Sequence, residues 1–304
     1  MTELKLPPGV RTLDAEIPEL KSFLKPGMKV LDVGCGSGTI TLGVAVAVNP
    51  GTVMGVDPVA DSIGSAKKLA AQVNHPGNVK FQVGDSHLLD FPDESFDLVY
   101  SHTVIHFFLD PVAAIKEQRR VVKKGGWVVA SGVRDWGGAP FFYPPSPNWD
   151  KMIRAIVSYF EANREEHRDS ATDPVAFVKE ESEKSRFSSM RYGDPYAGRK
   201  SLSWFSRAGL SELRIETRGR LQYQGHRDNP PSVFDFLNVQ EPRTDSEKYG
   251  AELVNTMNSA MIARGLLDEE TIKLATEEAH AWYRDPGAFR FFPEFFVAGR
   301  VPQA

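Results

Sequence analysis

Val30-Leu31-Asp32-Val33-Gly34-Cys35-Gly36-Ser37-Gly38 is the stretch whose reading decides the fold. A short apolar run from Met28 to Val33 is followed by glycines at alternate positions, which reads as a strand entering a tight turn with a helix beyond it. Glycine there permits positive φ and lets a ligand approach the backbone, while the start of the following helix offers unpaired amide groups. The next strand, Thr52-Val53-Met54-Gly55-Val56, ends at Asp57. That position is about twenty residues past the glycines, where an acidic side chain can accept hydrogen bonds from ribose hydroxyls. The two elements together predict a nucleoside site, without separating a dinucleotide from a mononucleoside-like ligand.

The same rhythm runs outward from the turn. Ser62 to Val73 has helical spacing, Val79 to Val83 and Phe96 to Tyr100 read as strands, Pro111 to Val122 as a helix, and Gly126 to Ala130 as a fifth strand. Alternation of this kind predicts a parallel sheet, because parallel neighbours need crossover connections. After Arg134 the pattern stops, and Gly137 to Pro147 is dense in proline, glycine and aromatic residues. Charged helix is expected from Trp149 to about Ser188, a last sheet-covering helix at Leu202 to Arg207, and a sixth strand at Leu213 to Thr217. Another helical region from about Glu247 to Trp282 precedes a seventh strand at Phe295 to Arg300, and the first helix is expected over Thr12 to Leu24. The expected fold is α/β, a Rossmann-like seven-stranded mostly parallel sheet with helices on both faces and two helical cap inserts. Its divisions are a core at 1–136, an aromatic helical insert at 137–197, core again at 198–225, a second helical insert at 226–290 and the terminal strand at 291–304.

These residues resemble the class I S-adenosylmethionine-dependent (SAM-dependent) methyltransferases, in particular the ubiquinone/menaquinone-methyltransferase-like branch. Val30 to Gly38 is similar to that family's first motif, with glycines at every second position where dehydrogenases space them more widely. Gly84-Asp85-Ser86 and Phe91-Pro92-Asp93-Glu94-Ser95-Phe96-Asp97-Leu98-Val99 resemble two further family segments, and Ser101 to His106 falls at the family's fourth-strand loop. The resemblance implies SAM as cofactor. It implies that Gly34, Cys35 and Gly36 line it, that Asp57 with Pro58 holds the ribose, that Asp85 and Ser86 meet the adenine, and that Ser101 and His102 meet the methionyl end. Methyl transfer is an in-line displacement that positioning alone can accelerate greatly, so no metal is called for. A base is needed only where the acceptor loses a proton, and His106, or else His102, is the candidate because imidazole titrates near neutrality. Asp32 is expected to orient the glycine turn, and Asp97 to be structural. Trp136, Phe141 and Tyr143 are candidates for an apolar acceptor pocket under the inserts.

The formal net charge of -4 gives no general attraction to phosphates, which disfavours a nucleic-acid substrate. Cys35 is the only cysteine, so neither an internal disulfide nor a cysteine zinc site can form, nor the thiol chemistry of arsenic methylation. The opening residues lack the apolar stretch of a signal peptide, and no run approaches the roughly 20 apolar residues of a membrane span. A cytoplasmic protein is expected, with a small-molecule acceptor and a homodimer possible. The chain starts close before its first helix, so the lid over the site is expected from the inserts or a partner subunit. A dehydrogenase would show wider glycine spacing and a proton-relay pair. The expected activity is methylation of oxygen, carbon, nitrogen or sulfur on a small aromatic or lipophilic metabolite. The rival reading is a SAM-binding protein that transfers no methyl group, cyclase-like or regulatory.

Overall fold

A computed structural model describes residues 4–7, 10–138, 141–167, 176, 193–223 and 245–303. Five parallel strands carry the first half: β1 (Lys29–Val33), β2 (Thr52–Asp57), β3 (Val79–Val83), β4 (Phe96–His102) and β5 (Val122–Arg134). β6 (Phe141–Tyr143) is short, and β7 (Ser211–Tyr223) and β8 (Phe289–Arg300) are long. The strands run in the order β3-β2-β1-β4-β5-β8, with β7 along the outer edge of β8. β8 is antiparallel to β5, β6 and β7, and β6 pairs with it at Phe289 to Phe291, past the Arg134 to Glu294 pair where β5 ends. The start of β8, the end of β7 and all of β6 therefore project beyond the C-terminal edge of the parallel strands, the edge at which open α/β sheets bind ligands.

Strand side chains alternate between faces, and each face has its own core. Leu98 and Tyr100 of β4, Val129 of β5 and Phe296 of β8 pack with Leu13 of α1 (Leu13–Glu16), with Ile17, Leu20 and Phe23, and with Val44 and Val48 of α2 (Thr39–Val48). Val99, Val128 and Val297 point the other way, against Ile115 of α4 (Pro111–Val121) and against Trp204 and Phe205 of α6 (Ala197–Arg207). α3 (Ala60–Gln72) covers β3 through Ile63, Ala66 and Phe81. Each fully buried Leu, Ile or Phe contributes about 2 kcal/mol, so these two faces hold the sheet.

A separate apolar cluster joins α5 (Pro147–Glu166), α7 (Asp245–Ala263) and α8 (Glu269–Arg284) through Trp149, Ile156, Phe160, Met261 and Ala275. α5 and α8 come from the two expected inserts, yet they also share a cap. Glu278 of α8 accepts from the backbone amides of Asn148 and Trp149 and from Asn148 Nδ2, at 2.7–3.2 Å. A carboxylate on those amides does the work of a capping side chain and suits the positive end of the helix dipole.

The helix expected over Thr12 to Leu24 is instead α1 followed by a 3-10 turn at Pro18–Ser22. Pro18 cannot donate a backbone hydrogen bond and pushes Ile17 out of helical conformation. The helical region expected from Glu247 to Trp282 breaks at Gly265, whose φ is 67°, and restarts under an Asp268 cap on the Thr271 amide at 2.6 Å. β8 begins at Phe289 and not at Phe295, and β6 lies inside the proline-, glycine- and aromatic-rich stretch where the sheet pattern is expected to stop. Most of the helix expected beyond Glu166, and the link at 224–244, lie outside the described residues.

Candidate cofactor and acceptor site

The glycine turn sits against the end of β2. The amides of Gly34 and Cys35 both donate to the Val56 carbonyl, at 2.8 and 3.0 Å. The Gly36 amide donates to Asp57 Oδ2 and the Val59 amide to Asp57 Oδ1, each at 3.0 Å. Each carboxylate oxygen is thus fixed once from the backbone and keeps lone pairs for hydroxyls of a ribose. Burial pushes the Asp57 carboxyl up, and the two amides work against it. Pro58 forms the bend between Asp57 and α3.

Two glycines act differently. At Gly34 a Cβ would lie 2.4 Å from Val104 Cγ2, so the turn must be bare for the loop after β4 to close on it. At Gly36, with φ of 52°, a Cβ would meet nothing within 4 Å, which leaves open backbone of the kind a ligand can approach. Beneath the turn, Asp32 Oδ2 accepts from Tyr100 Oη at 2.5 Å and from Thr41 Oγ1 at 2.7 Å, tying β1 to β4 and α2. Asp32 is buried, and burial raises its pKa to about 7 against the pull of those two donors. The half-buried Cys35 thiol is pushed up by burial and by Asp32 and Asp57, so it stays protonated. Asp97 lies at the opposite end of the strands, on the Lys29 amide at 2.7 Å and Lys123 Nζ at 2.6 Å.

After β3, Asp85 Oδ1 accepts from the His87 amide at 2.7 Å and from His87 Nδ1 at 3.0 Å, with Ser86 Oγ 3.3 Å from the same ring nitrogen. No hydrogen bond to Asp85 Oδ2 is formed by the described residues.

The loop after β4 gathers the remaining groups. Arg11 Nη2 donates to Glu16 Oε2 at 2.8 Å and contacts His102 Nε2. The same Nε2 lies 3.1 Å from Glu16 Oε2, so the ring nitrogen sits between a guanidinium and a carboxylate. Burial, then the charge of Arg11, lowers the His102 pKa to about 4, so the ring is neutral. Thr103 has φ of 57°, a strained conformation for a β-branched residue. It is held there by its amide on the Ser131 carbonyl at 2.8 Å and by its hydroxyl on the His102 carbonyl at 2.7 Å. His106 is 1% exposed, and burial, with the charges of Arg134 and Arg11, holds it well below the usual imidazole range. Four buried polar atoms at the end of β4 and in the loop after it have no partner among the described residues: Ser101 Oγ, His102 Nδ1 and both ring nitrogens of His106. Buried polar atoms left so cost on the order of 1–3 kcal/mol each, a cost that a bound ligand removes.

Trp136 and Tyr143 have different neighbours. Trp136 lies under Arg134, 5.5 Å from its guanidinium carbon, and packs on the α5–α8 cluster. Tyr143 is 55% exposed and stacks on Phe289 at 5.6 Å. Phe141 pairs with Phe291 in the sheet, and its side chain lies outside the described ones. A cavity of about 650 Å³ opens between α5 and Asp194 to Lys200, but its lining is rich in charge. There Lys200 pairs with Asp194 at 2.8 Å, and Arg164 holds the carbonyls of Phe108 and Leu109. Its rim reaches the histidine loop, since the Asp194 amide donates to the His106 carbonyl at 2.7 Å. Arg11, Glu16, His87 and Thr103 are absent from the sequence-derived site: Arg11 and Glu16 precede the first motif, His87 adjoins a recognised segment, and Thr103 lies inside one. Among the described residues there is no cluster of metal ligands and no helix long and apolar enough to cross a membrane.

A five-strand parallel half with a bare glycine turn, an acid at the end of β2 and an antiparallel β8 defines a Rossmann-like nucleoside-binding protein. The chain belongs to the methyltransferase-domain family, of the class I SAM-dependent type, whose model matches residues 24–184. It is 40% identical over 111 residues to an uncharacterized methyltransferase of Schizosaccharomyces pombe, covering 35% of this chain and 40% of that one. It is 38% identical over 107 residues to a demethylmenaquinone methyltransferase of Staphylococcus aureus, covering 35% and 43%. The chain thus spans less than half the length of these two relatives. The structure also aligns with the crystallised cyclase SpnF at a TM-score of 0.54 and 16% identity, over 94% of this chain and 80% of that one.

Proposed function

We propose that the protein transfers a methyl group from SAM to an oxygen, carbon, nitrogen or sulfur of a small aromatic or lipophilic acceptor. The observation that carries this is the set of buried polar atoms at Ser101, His102 and His106 that have no partner among the described residues, beside the loop that Val104 locks onto the bare Gly34. SAM supplies an electrophilic methyl when bound. Gly34, Cys35 and Gly36 lie along it, Asp57 and Pro58 take the ribose, Asp85 and Ser86 the adenine, and Ser101 and His102 Nδ1 the polar methionyl end. His106 is neutral and faces the acceptor, where it takes a hydrogen bond and, from a hydroxyl acceptor, the departing proton. The cap helices α5, α7 and α8, with Trp136, close the acceptor side. Similarity to a demethylmenaquinone methyltransferase supports a lipophilic acceptor, and the net charge of -4 supports a small molecule over a nucleic acid.

The test is incubation of the protein with methyl-labelled SAM and a panel of phenols, hydroquinones, amines and thiols, followed by mass analysis. A gain of one methyl group on any acceptor class supports the reading. SAM binding with no transfer across the panel supports the second reading, a SAM-binding protein of the kind whose fold the cyclase SpnF shares.

A further inference from the structure

We infer that His87 is a positioning residue that makes the nucleoside site selective for a 6-aminopurine. The inference rests on Asp85 as the group that receives the adenine.

Both bonds that fix the Asp85 side chain come from His87 and fall on the same oxygen, Oδ1. Against a carboxylate oxygen the ring nitrogen must be the donor, so Nδ1 carries the proton. The imidazole is buried, 2% exposed, and sits edge-on to Phe108 at 5.5 Å between ring centres. Its Nε2 has no partner among the described residues, so its strong contact is the one to Asp85, with Ser86 Oγ farther off. A histidine buried at that cost holds the carboxylate in one rotamer, with Oδ2 left to accept. An exocyclic amino group donates to that oxygen, whereas a 6-oxo group brings a second acceptor and is repelled. Two apolar side chains flank the place where a flat ring would lie: Val83 is 55% exposed and Leu88 is 62% exposed. Val83 is in register with Asp57 on the neighbouring strand, which puts the ribose acid and this apolar lip side by side.

The experiment measures binding of S-adenosylhomocysteine and of its 6-oxo, inosyl counterpart to the full chain by titration calorimetry. The wild-type protein is expected to prefer the adenosyl form by about tenfold or more. His87→Phe keeps a ring against Phe108 but has no donor, and the preference is expected to fall about fivefold or more, through weaker adenosyl binding. His87→Asn carries an amide donor where Nδ1 stood, and the preference is expected to return to within about twofold of wild type. Asp85→Ala removes the acceptor and should abolish the preference. A preference lost in Asp85→Ala but intact in His87→Phe overturns the role of His87 alone, as does an asparagine variant that falls as far as the phenylalanine one. A preference intact in Asp85→Ala overturns the adenine reading of Asp85 and this inference with it.

Discussion

Replacing Asp32 by asparagine is expected to flatten the dependence of folding stability on pH. In the folded chain this carboxyl titrates at about 7, whereas its ordinary value is 3.8. Between those values the folded state holds a proton that the unfolded state has lost, so stability falls as pH rises through this window and levels off above it. Roughly three pKa units at 1.36 kcal/mol each give about 4 kcal/mol of stability lost between the two values. Tyr100 and Thr41 both donate to Oδ2, so an asparagine with its carbonyl oxygen in that place keeps both bonds and carries no charge to desolvate. Three other groups slope the same curve. Asp57, also raised by burial, acts in the same direction, while His102, lowered to about 4, and His106, lowered well below its ordinary value, make stability rise with pH up to their ordinary 6.5. All three remain in the variant, so the difference between the two chains isolates Asp32. Urea unfolding of each chain without SAM, at four pH values from 5 to 8, reads it. The gap should move in favour of Asp32→Asn by a few kcal/mol from the lowest pH to the highest. Parallel curves would show that Asp32 is ionised in the fold and that burial there is outweighed by its two donors.

Gly34→Ala forces a Cβ to within 2.4 Å of Val104 at a φ of 79°, so it should cost about 1–3 kcal/mol of stability and at least tenfold in SAM affinity. Gly36→Ala meets no protein atom, so its loss of affinity should be out of proportion to a stability change of about 1 kcal/mol, measured by calorimetry beside thermal melts. His106→Ala should leave SAM affinity within about twofold and lower the turnover of a hydroxyl acceptor by on the order of 10². An unchanged turnover would remove His106 from the reaction. Glu278→Gln weakens the charged cap on the start of α5 and should lower the melting free energy by about 1 kcal/mol, with the near-ultraviolet signal of the cap aromatics changing first.

The parallel half of the sheet was legible because two local signals agree there: short apolar runs separated by helical spacing, and glycines where the turn needs bare backbone. Val79 to Val83 was read to the residue, and β5 was found but cut short at both ends because Lys123 and Lys124 and then Ser131 to Arg134 break the apolar run. The early helix was misjudged because its apolar spacing continues through Pro18, and the missing donor, not the spacing, decides that segment. The cap was harder for a different reason. Its core joins residues more than a hundred positions apart, Trp149 with Ala275, and Asn148 with Glu278. Neither half shows its partner in the local sequence. The same distance hid Arg11, whose contacts at His102 and Thr103 lie about ninety residues away.

That long contact gives the site its mechanical logic. The loop after β4 is held from three sides: Val104 against bare Gly34, Thr103 and His102 against bare Gly132, and His102 against Arg11. At Gly132 a Cβ would come within 2.6 Å of Thr103 and 2.9 Å of His102, so β5 must be as bare as the cofactor turn for the loop to take its strained path. The strain at Thr103 is therefore over-determined by neighbours just after β1, on β5 and before α1, which is the condition under which such strain persists in a fold. What the strained turn achieves is direction. It sends the chain from His102 back over the glycine turn, so that Ser101, His102 and His106 are buried within six residues with polar atoms that no described residue takes up. In the proposed function, cofactor contact and acceptor contact come from six consecutive residues, and a shift in either ligand would be felt by the other through a backbone that cannot relax independently.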